Sequence, residues 1–385
     1  MHITEILDVG KIVAHRRHFH MHPEVAFEEH ETTEYIAKQI AEYPGITVLR
    51  PTATGLVAVM DSGRAGKTVA LRADIDALPI LEENNIPYAS QNQGKMHACG
   101  HDAHAAMLLG ALDALHKMRD RLSGTVKFIF QHAEEVFPGG AAGIIASGVL
   151  DDVDVFYGCH VGAESPTGTI GLAVGPVYAN ADSFSIKIQG RGAHAAGPQN
   201  SIDPLLIGTE IVQALNFIVS RNIAPHEAAV VTVAAFNAGT AHNIIPDTAN
   251  ILGTARSYTS KVRGLIEKRI NEAADGICAA YGATCQVTYT KGYNCVVNDE
   301  GLHEIMHKII PAALPGVAIN TLEPRMGGED FSAYHAIAPA YFSRIGAAPA
   351  EGISLAHHPK FMINEECLAI GAAAYAAFAL EFCKI

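Results

Sequence analysis

The sequence predicts an α/β protein with a smaller α+β module inserted into it, and three observations carry that prediction. Helical stretches alternate with short β-branched strands through the first part of the chain, the pattern of a sheet covered by helices. From Ser183 the order changes to strand, helix, strand, strand, helix, strand, which is the split β-α-β order of a ferredoxin-like fold. Near Asn294 the first pattern resumes, so the predicted division is a domain over 1–181 and 294–385, interrupted by an insert over 182–293. With 385 residues, 49% of them hydrophobic, the chain has material for two cores.

The elements follow in order. Residues 32–43 have helical character, and 55–60 and 68–73 alternate as strands. A helix over 103–118 directly follows the cluster Met96 to His104, M-H-A-C-G-H-D-A-H. Residues 124–131, G-T-V-K-F-I-F-Q, read as a strand running into His132, Ala133, Glu134 and Glu135, and 153–160 read as a short apolar strand with His160 at its tip. In the insert, strands over 183–190, 228–235, 249–256 and 286–291 enclose helices over 204–221 and 261–281. The apolar run 367–380, rich in alanine and glycine, is too short to span a bilayer and reads as a buried helix. There are no repeats, low-complexity tracts or long linkers.

The chemistry concentrates where strands end. A thiolate and an imidazole two positions apart, Cys99 and His101, can grip one divalent ion together. Glu134 and Glu135 are adjacent, so their side chains leave the backbone in different directions, and one can ligate an ion while the other holds a water. His160 and the pair His357-His358 ahead of Pro359 add imidazoles. Open α/β sheets gather function beyond the carboxyl ends of their strands, where such tips converge. In the insert, His194 stands on the glycine-rich turn G-R-G-A-H, Asn243 precedes I-I-P-D, and Arg256 ends the strand G-T-A-R.

The order of motifs resembles the M20 metallopeptidases, and more narrowly their amidohydrolase branch of hippurate hydrolases, N-acyl-amino-acid deacylases and auxin-conjugate hydrolases. The motifs are R-R-H-F-H-M-H-P-E (16–24), L-R-A-D-I-D-A-L-P-I (71–80), the cysteine-histidine cluster, H-A-E-E (132–135), G-C-H (158–160), G-x-G-A-H-A-A-x-P (190–198), H-N-I-I-P-D (242–247), G-G-E-D-F (327–331) and H-H-P-x-F (357–361). The resemblance implies a catalytic α/β domain carrying two divalent ions, with the insert as a dimerisation domain or lid. It makes Cys99 the bridge between the ions, His101, Glu135, His160 and His357 their terminal ligands, Glu134 the general base and Asp76 the support behind the ions. His357 is preferred to His358 because the branch reads L-H-x-P where this chain has A-H-H-P. Asp74 stands where many relatives have a histidine, and His101 supplies the missing imidazole. His194 and Asn243 would bind the substrate's carbonyl or carboxylate, with His194 also stabilising the oxyanion, and the Arg256 fork would clamp a carboxylate. The implied activity is hydrolysis of N-acyl amino acids by a homodimer, with His194 reaching a partner's site. A thiolate ligand favours Zn, Ni or Co, while Mn is common in the plant relatives.

Composition bounds this reading. A net charge of −13 with no basic block argues against nucleic acid and anionic membranes as partners. The N-terminus lacks a signal-peptide core, and seven cysteines without C-x-x-C spacing suggest a reducing, cytoplasmic setting. Cys159 reads as a buried, inert thiol. Three other functions fit parts of the pattern. A dipeptidase would prefer aminoacyl over acyl substrates; a metal-dependent binding protein would lack the base that Glu134 offers; a thiol enzyme using Cys99 would survive chelation.

Overall fold

The computed structural model describes residues 3–350 and 352–384. It divides into two compact units: one comprises the chain up to Val177 together with Val296–Glu323 and the residues from Asp330 onward, the other Tyr178–Cys295 with Pro324–Glu329.

In the first unit the strands are β1 (Ile46–Leu49), β2 (Leu56–Asp61), β3 (Thr68–Asp74), β4 (Thr125–Gln131), β5 (Val155–Pro166) and β6 (Thr169–Leu172). The second unit contributes β7 (Asn180–Gln189), β8 (Ala193–His194), β9 (Ala229–Ala238), β10 (Ile244–Ile245), β11 (Thr248–Ser257) and β12 (Thr284–Lys291). The first unit is completed by β13 (Ala318–Thr321) and β14 (Ala340–Ala348). Its eight-stranded sheet has the order β1-β2-β4-β3-β5-β14-β6-β13. The four central strands β4, β3, β5 and β14 are mutually parallel. Their interiors are buried at nearly every position because both faces are covered, as parallel sheets require, and the polar residues within them, such as Arg72 and Ser343, are buried too.

Two helices make the core of this unit. α1 (His101–Lys117) buries all but its last two residues, and α2 (Cys367–Cys383), apolar on every side, buries nearly as much. They pack so closely that a Cβ on Gly371 would lie 1.9 Å from Met107 Sδ, so a larger residue there would force the methionine side chain to move. No helix is long and apolar enough to cross a membrane among the described residues.

The second unit has an antiparallel four-stranded sheet in the order β9-β11-β7-β12. Numbering those strands by their sequence order gives 2-3-1-4, the ferredoxin-like arrangement, with helices α3 (Pro204–Phe217) and α4 (Ser260–Ala280) packed on it. Asp203 and Thr259 cap these helices by accepting from Leu205 and Val262 amides. A buried pair, Arg263 and Asp182, joins α4 to β7 and is completed by the Tyr289 hydroxyl donating to Asp182 at 2.7 Å.

Candidate metal centre

Beyond the carboxyl ends of β3, β4 and β14, and along β5, the first unit brings its metal-ligand side chains together. Asp76 follows β3, Glu134 and Glu135 follow β4, and His357 lies in the loop after β14. The fourth segment departs from expectation. His160 does not end its strand: β5 runs on to Pro166, because β14 continues to pair with it, Arg344 opposite His160 and Ile345 opposite Val161. Cys99 and His101 flank Gly100 at the head of α1, whose φ of +92° and whose pro-Cβ position 2.3 Å from Val161 Cγ2 admit only glycine. The His357 amide donates to the Ala98 carbonyl at 2.8 Å and joins the two loops.

Potential ligand atoms lie within 4.8 Å of one another in three relevant trios: Cys99, His101 and His160; Cys99, Glu135 and His357; His101, Glu134 and Glu135. The first two share Cys99. A single thiolate common to two three-atom sets is the donor arrangement for a pair of bridged ions, and five ligands exceed what one tetrahedral ion needs. His358 lies outside these trios, its Nδ1 accepting from the Lys360 amide.

The hydrogen bonds leave the right atoms for ions. His160 Nδ1 donates to the Val161 carbonyl at 2.7 Å, so Nε2 keeps its lone pair, 3.4 Å from Cys99 Sγ. His101 Nδ1 lies 3.2 Å from Asp76 Oδ1, which holds the ring with Nε2 turned inward, the usual device behind a metal-binding imidazole. His101 Nε2 is buried without a hydrogen bond, 3.9 Å from Glu135 Oε1, which in turn lies 3.2 Å from His357 Nε2. A buried imidazole nitrogen left without a partner beside carboxylate and imidazole donors is costly unless a cation takes it up.

The electrostatics ask for the same thing. Burial opposes a charged His101, yet Asp74, Cys99 and Asp76 hold it well above the ordinary imidazole range. The site is negative enough to demand a positive charge. Desolvation, with Glu135 next in importance, pushes the Cys99 thiol up to about 12. A thiol raised in this way is a poor free nucleophile, and a cation beside it would favour the thiolate. Cys159 is buried, and that burial raises it to about 12 as well.

Asp76 has a second task, accepting the Glu135 amide on Oδ2 at 3.0 Å. Asp74 lies beside the same His101 ring, its Oδ2 3.8 Å from Nε2. It is paired with Arg72 at 2.8 Å and with His104 Nδ1, and His104 Nε2 in turn accepts the Val161 amide at 2.9 Å. Arg72 also donates to Asp330 at 2.7 Å and Gln131 at 2.9 Å, so the L-R-A-D and G-G-E-D-F motifs meet in one buried network. That network supports the β5 backbone beside His160. Its members, and the buried Glu29 that accepts the Ala133 amide, were not singled out from sequence as site residues. Ala133, directly before Glu134, has φ +51°, and His357 has φ +63°. Left-handed backbone at non-glycine residues costs on the order of 1–3 kcal/mol and clusters at functional sites.

In the second unit β8 and β10 form a two-residue ribbon that sets Ile244 opposite His194, so His194 and Asn243 become neighbours, both exposed. The Ala196 amide donates to His194 Nδ1 at 3.1 Å, which leaves Nε2 as the protonated, outward-facing nitrogen of the neutral ring. Arg256 is not with them. Its guanidinium folds onto its own sheet, donating to the carbonyls of Asp182 and Ala255 and to the Thr254 hydroxyl. It pairs in register with Ala181, whereas the glycine turn bearing His194 is tied to Asp247 beyond the Gln189 end. Eight residues of strand separate the two ends, about 27 Å at 3.4 Å per residue.

Residues 70–381 match the family model for peptidase family M20/M25/M40. The chain belongs to that family. An N-acyl-L-amino acid amidohydrolase of Geobacillus stearothermophilus is 43% identical over 302 residues, 78% of this chain and 82% of that protein. An N-acetylcysteine deacetylase of Bacillus subtilis is 38% identical over 371 residues, 96% of each chain. Among solved structures, a dinuclear metal-binding M20 peptidase from Bacillus subtilis superposes with a TM-score of 0.85 at 35% identity, covering 97% of this chain and 99% of that one.

Proposed function

We propose that this M20 chain is a metal-dependent amidohydrolase that cleaves N-acyl amino acids to a carboxylic acid and a free amino acid. The observation that carries the reading is the pair of donor sets sharing Cys99, with a further carboxylate, Glu134, beside them. Cys99 would bridge two divalent ions, His101 and His160 would complete one, and Glu135 and His357 the other. Ions held there supply a water of lowered pKa and polarise the acyl carbonyl. A thiolate among the donors favours Zn, Ni or Co over Mn.

The chain's own groups do the rest. Glu134, buried and next in sequence to a ligand, takes the proton of the attacking water and returns it to the leaving amine. Asp76 holds both His101 and the Glu135 backbone, so neither ligand turns as charge develops. His194 presents a protonated Nε2 suited to a developing oxyanion, Asn243 stands beside it, and Arg256 binds the amino acid's carboxylate after releasing its backbone contacts. The relatives named for N-acyl-amino-acid and N-acetylcysteine hydrolysis support an amide substrate. The peptidase description of the superposed structure keeps a dipeptide as the second candidate.

The working form in this reading is a homodimer joined through the second unit. β9, A-V-V-T-V-A-A-F-N-A, is a ten-residue edge strand with no charge and no proline, an edge of the kind that soluble proteins blunt unless it is paired. In one copy about 27 Å of strand separates the end that carries Arg256 from the end that leads to the His194 turn, which favours a small substrate being bound by His194 and Arg256 of two copies. The setting we propose is the cytoplasm, where the thiols of a chain with seven cysteines and no C-x-x-C spacing stay reduced.

The test is turnover on acetyl-, benzoyl- and aminoacyl-amino acids by metal-reconstituted protein, read by amine release. Acyl substrates should be preferred. Glu134→Gln should keep its metal yet lose turnover by about 10²- to 10⁴-fold, while Glu135→Gln should lose metal. Turnover that survives exhaustive chelation, or a Glu134→Gln protein as fast as the parent, overturns the reading.

A further inference from the structure

We infer that Glu29, which no motif of the centre includes, is a positioning residue that aims Glu134; the inference rests on the proposed role of Glu134 as proton carrier. Glu29 is fully buried immediately before the helix His30–Ile40. Its carbonyl accepts from both the amide and the hydroxyl of Thr33, and that hydroxyl accepts from the Gly55 amide at 2.8 Å, so the residue is anchored to the start of β2. Its carboxylate reaches across to the strand that carries the acid pair, where Oε1 accepts the Ala133 amide at 2.8 Å. Ala133 holds the left-handed conformation that turns the chain out of β4, and its carbonyl accepts from Gly140 at 3.1 Å.

The consequence is a clamp. Glu134 has a carboxylate on the amide of each neighbour, Glu29 on Ala133 and Asp76 on Glu135. Asp76 holds the Glu134–Glu135 peptide plane, the Gly140 amide on the Ala133 carbonyl holds the Ala133–Glu134 plane, and Glu29 holds the His132–Ala133 plane before it. The backbone through Ala133 is thereby fixed, and with it the direction in which the Glu134 side chain leaves. Asp76 also orients His101, so one arm of the clamp is tied to the ligands and the other, Glu29, is not. Glu29 Oε2 makes no hydrogen bond, although a purely structural acceptor at a helix start is more cheaply supplied by serine or threonine. The length of the glutamate is what spans from the helix to Ala133.

Length and acceptor therefore matter more than charge, and three substitutions separate them. Metal-reconstituted full-length Glu29→Gln, Glu29→Asp and Glu29→Ala would each be measured for bound metal, KM and kcat per metal-loaded chain. Gln keeps an acceptor at the same reach and should retain kcat within about threefold. Asp keeps the charge but falls one methylene short, and with Ala should lose about 10- to 100-fold in kcat, with metal content and KM little changed. In a Glu134→Gln background the Ala and Asp substitutions should cost nothing further, because Glu29 acts through Glu134. Asp equal to the parent, Gln as poor as Ala, or metal and activity lost in proportion would each overturn the inference. Undiminished turnover in Glu134→Gln alone would instead sink the role of Glu134, which the double variants keep separate.

Discussion

Asp76 shows how much of this centre is decided by single side chains. It touches no candidate ion position itself, yet one oxygen fixes the His101 ring and the other the Glu135 backbone. Asp76→Asn puts a donor where an acceptor is needed, because an amide nitrogen cannot accept from His101 Nδ1–H or from the Glu135 amide. The expected outcome is a loss of about 10- to 100-fold in metal affinity with the fold intact, read by competition with a chelator. Cys99 belongs to both donor trios, so Cys99→Ala should remove most of both ions rather than one of two. Elemental analysis showing undiminished occupancy in that variant would end the bridging role.

At the scale of elements, the strands and helices position these residues through networks that cross the chain. Arg72 on β3 and Asp330 are 258 residues apart in sequence and 2.7 Å apart in space. Replacing Asp330 with alanine strips a buried arginine of one partner and should cost about 3–5 kcal/mol, read as a drop in the denaturant midpoint. The helix Val9–Met21 carries a pH dependence remote from the ions. Burial, with Lys11 next, lowers His15 from 6.5 to about 4, and the ring is held to the Tyr35 hydroxyl at 2.8 Å. The unfolded chain therefore binds the extra proton first, so this stability is complete above pH 6.5 and is lost as pH falls towards 4. The full loss is at most about 3 kcal/mol at 1.36 kcal/mol per pH unit, and His15→Gln should flatten the stability profile across that window. Such couplings explain what could be read beforehand. Cys99, His101, Glu134 and Glu135, whose ligand atoms the fold brings together, stand out in the sequence because ligand residue types crowd at predicted strand ends and turns, whereas the choice of His357 over His358 rests on the family resemblance. The ferredoxin-like order was legible from periodicity. The continuation of β5 past His160 was not, because it depends on pairing with β14, nearly two hundred residues later. Glu29 and the Arg72 network were hidden for the same reason: a buried acid reads as an exposed one until its distant partner is known.

For the whole molecule the decisive geometry is the register of one sheet. β7 pairs with β11 from Ala181 opposite Arg256 to Gln189 opposite Thr248, so Arg256 lies at one end of the four-stranded sheet, and the turn leading to the separate His194 ribbon leaves from the other end. The strand between those ends is about 27 Å long, more than a side chain spans, and no rotation of the unit as a body changes that length. If both residues bind one substrate, they come from different copies, and a dimer of this chain has two sites, each built from both. The prediction follows without deciding which residue is supplied in trans. His194→Ala and Arg256→Ala chains, each with little activity alone, are mixed after dissociation and allowed to reassociate. In a mixed dimer both lesions fall in one site and the other is intact, whichever residue crosses over. Random pairing makes half of the dimers mixed, so activity should return to about a quarter of the parent. Mixing Glu134→Gln with His194→Ala then shows the direction: recovery means that His194 serves the partner's ions, and none means that Arg256 does. If verified exchange of His194→Ala with Arg256→Ala chains restores nothing, the two residues do not share a site across a dimer, and at least one of them has no part in binding the substrate.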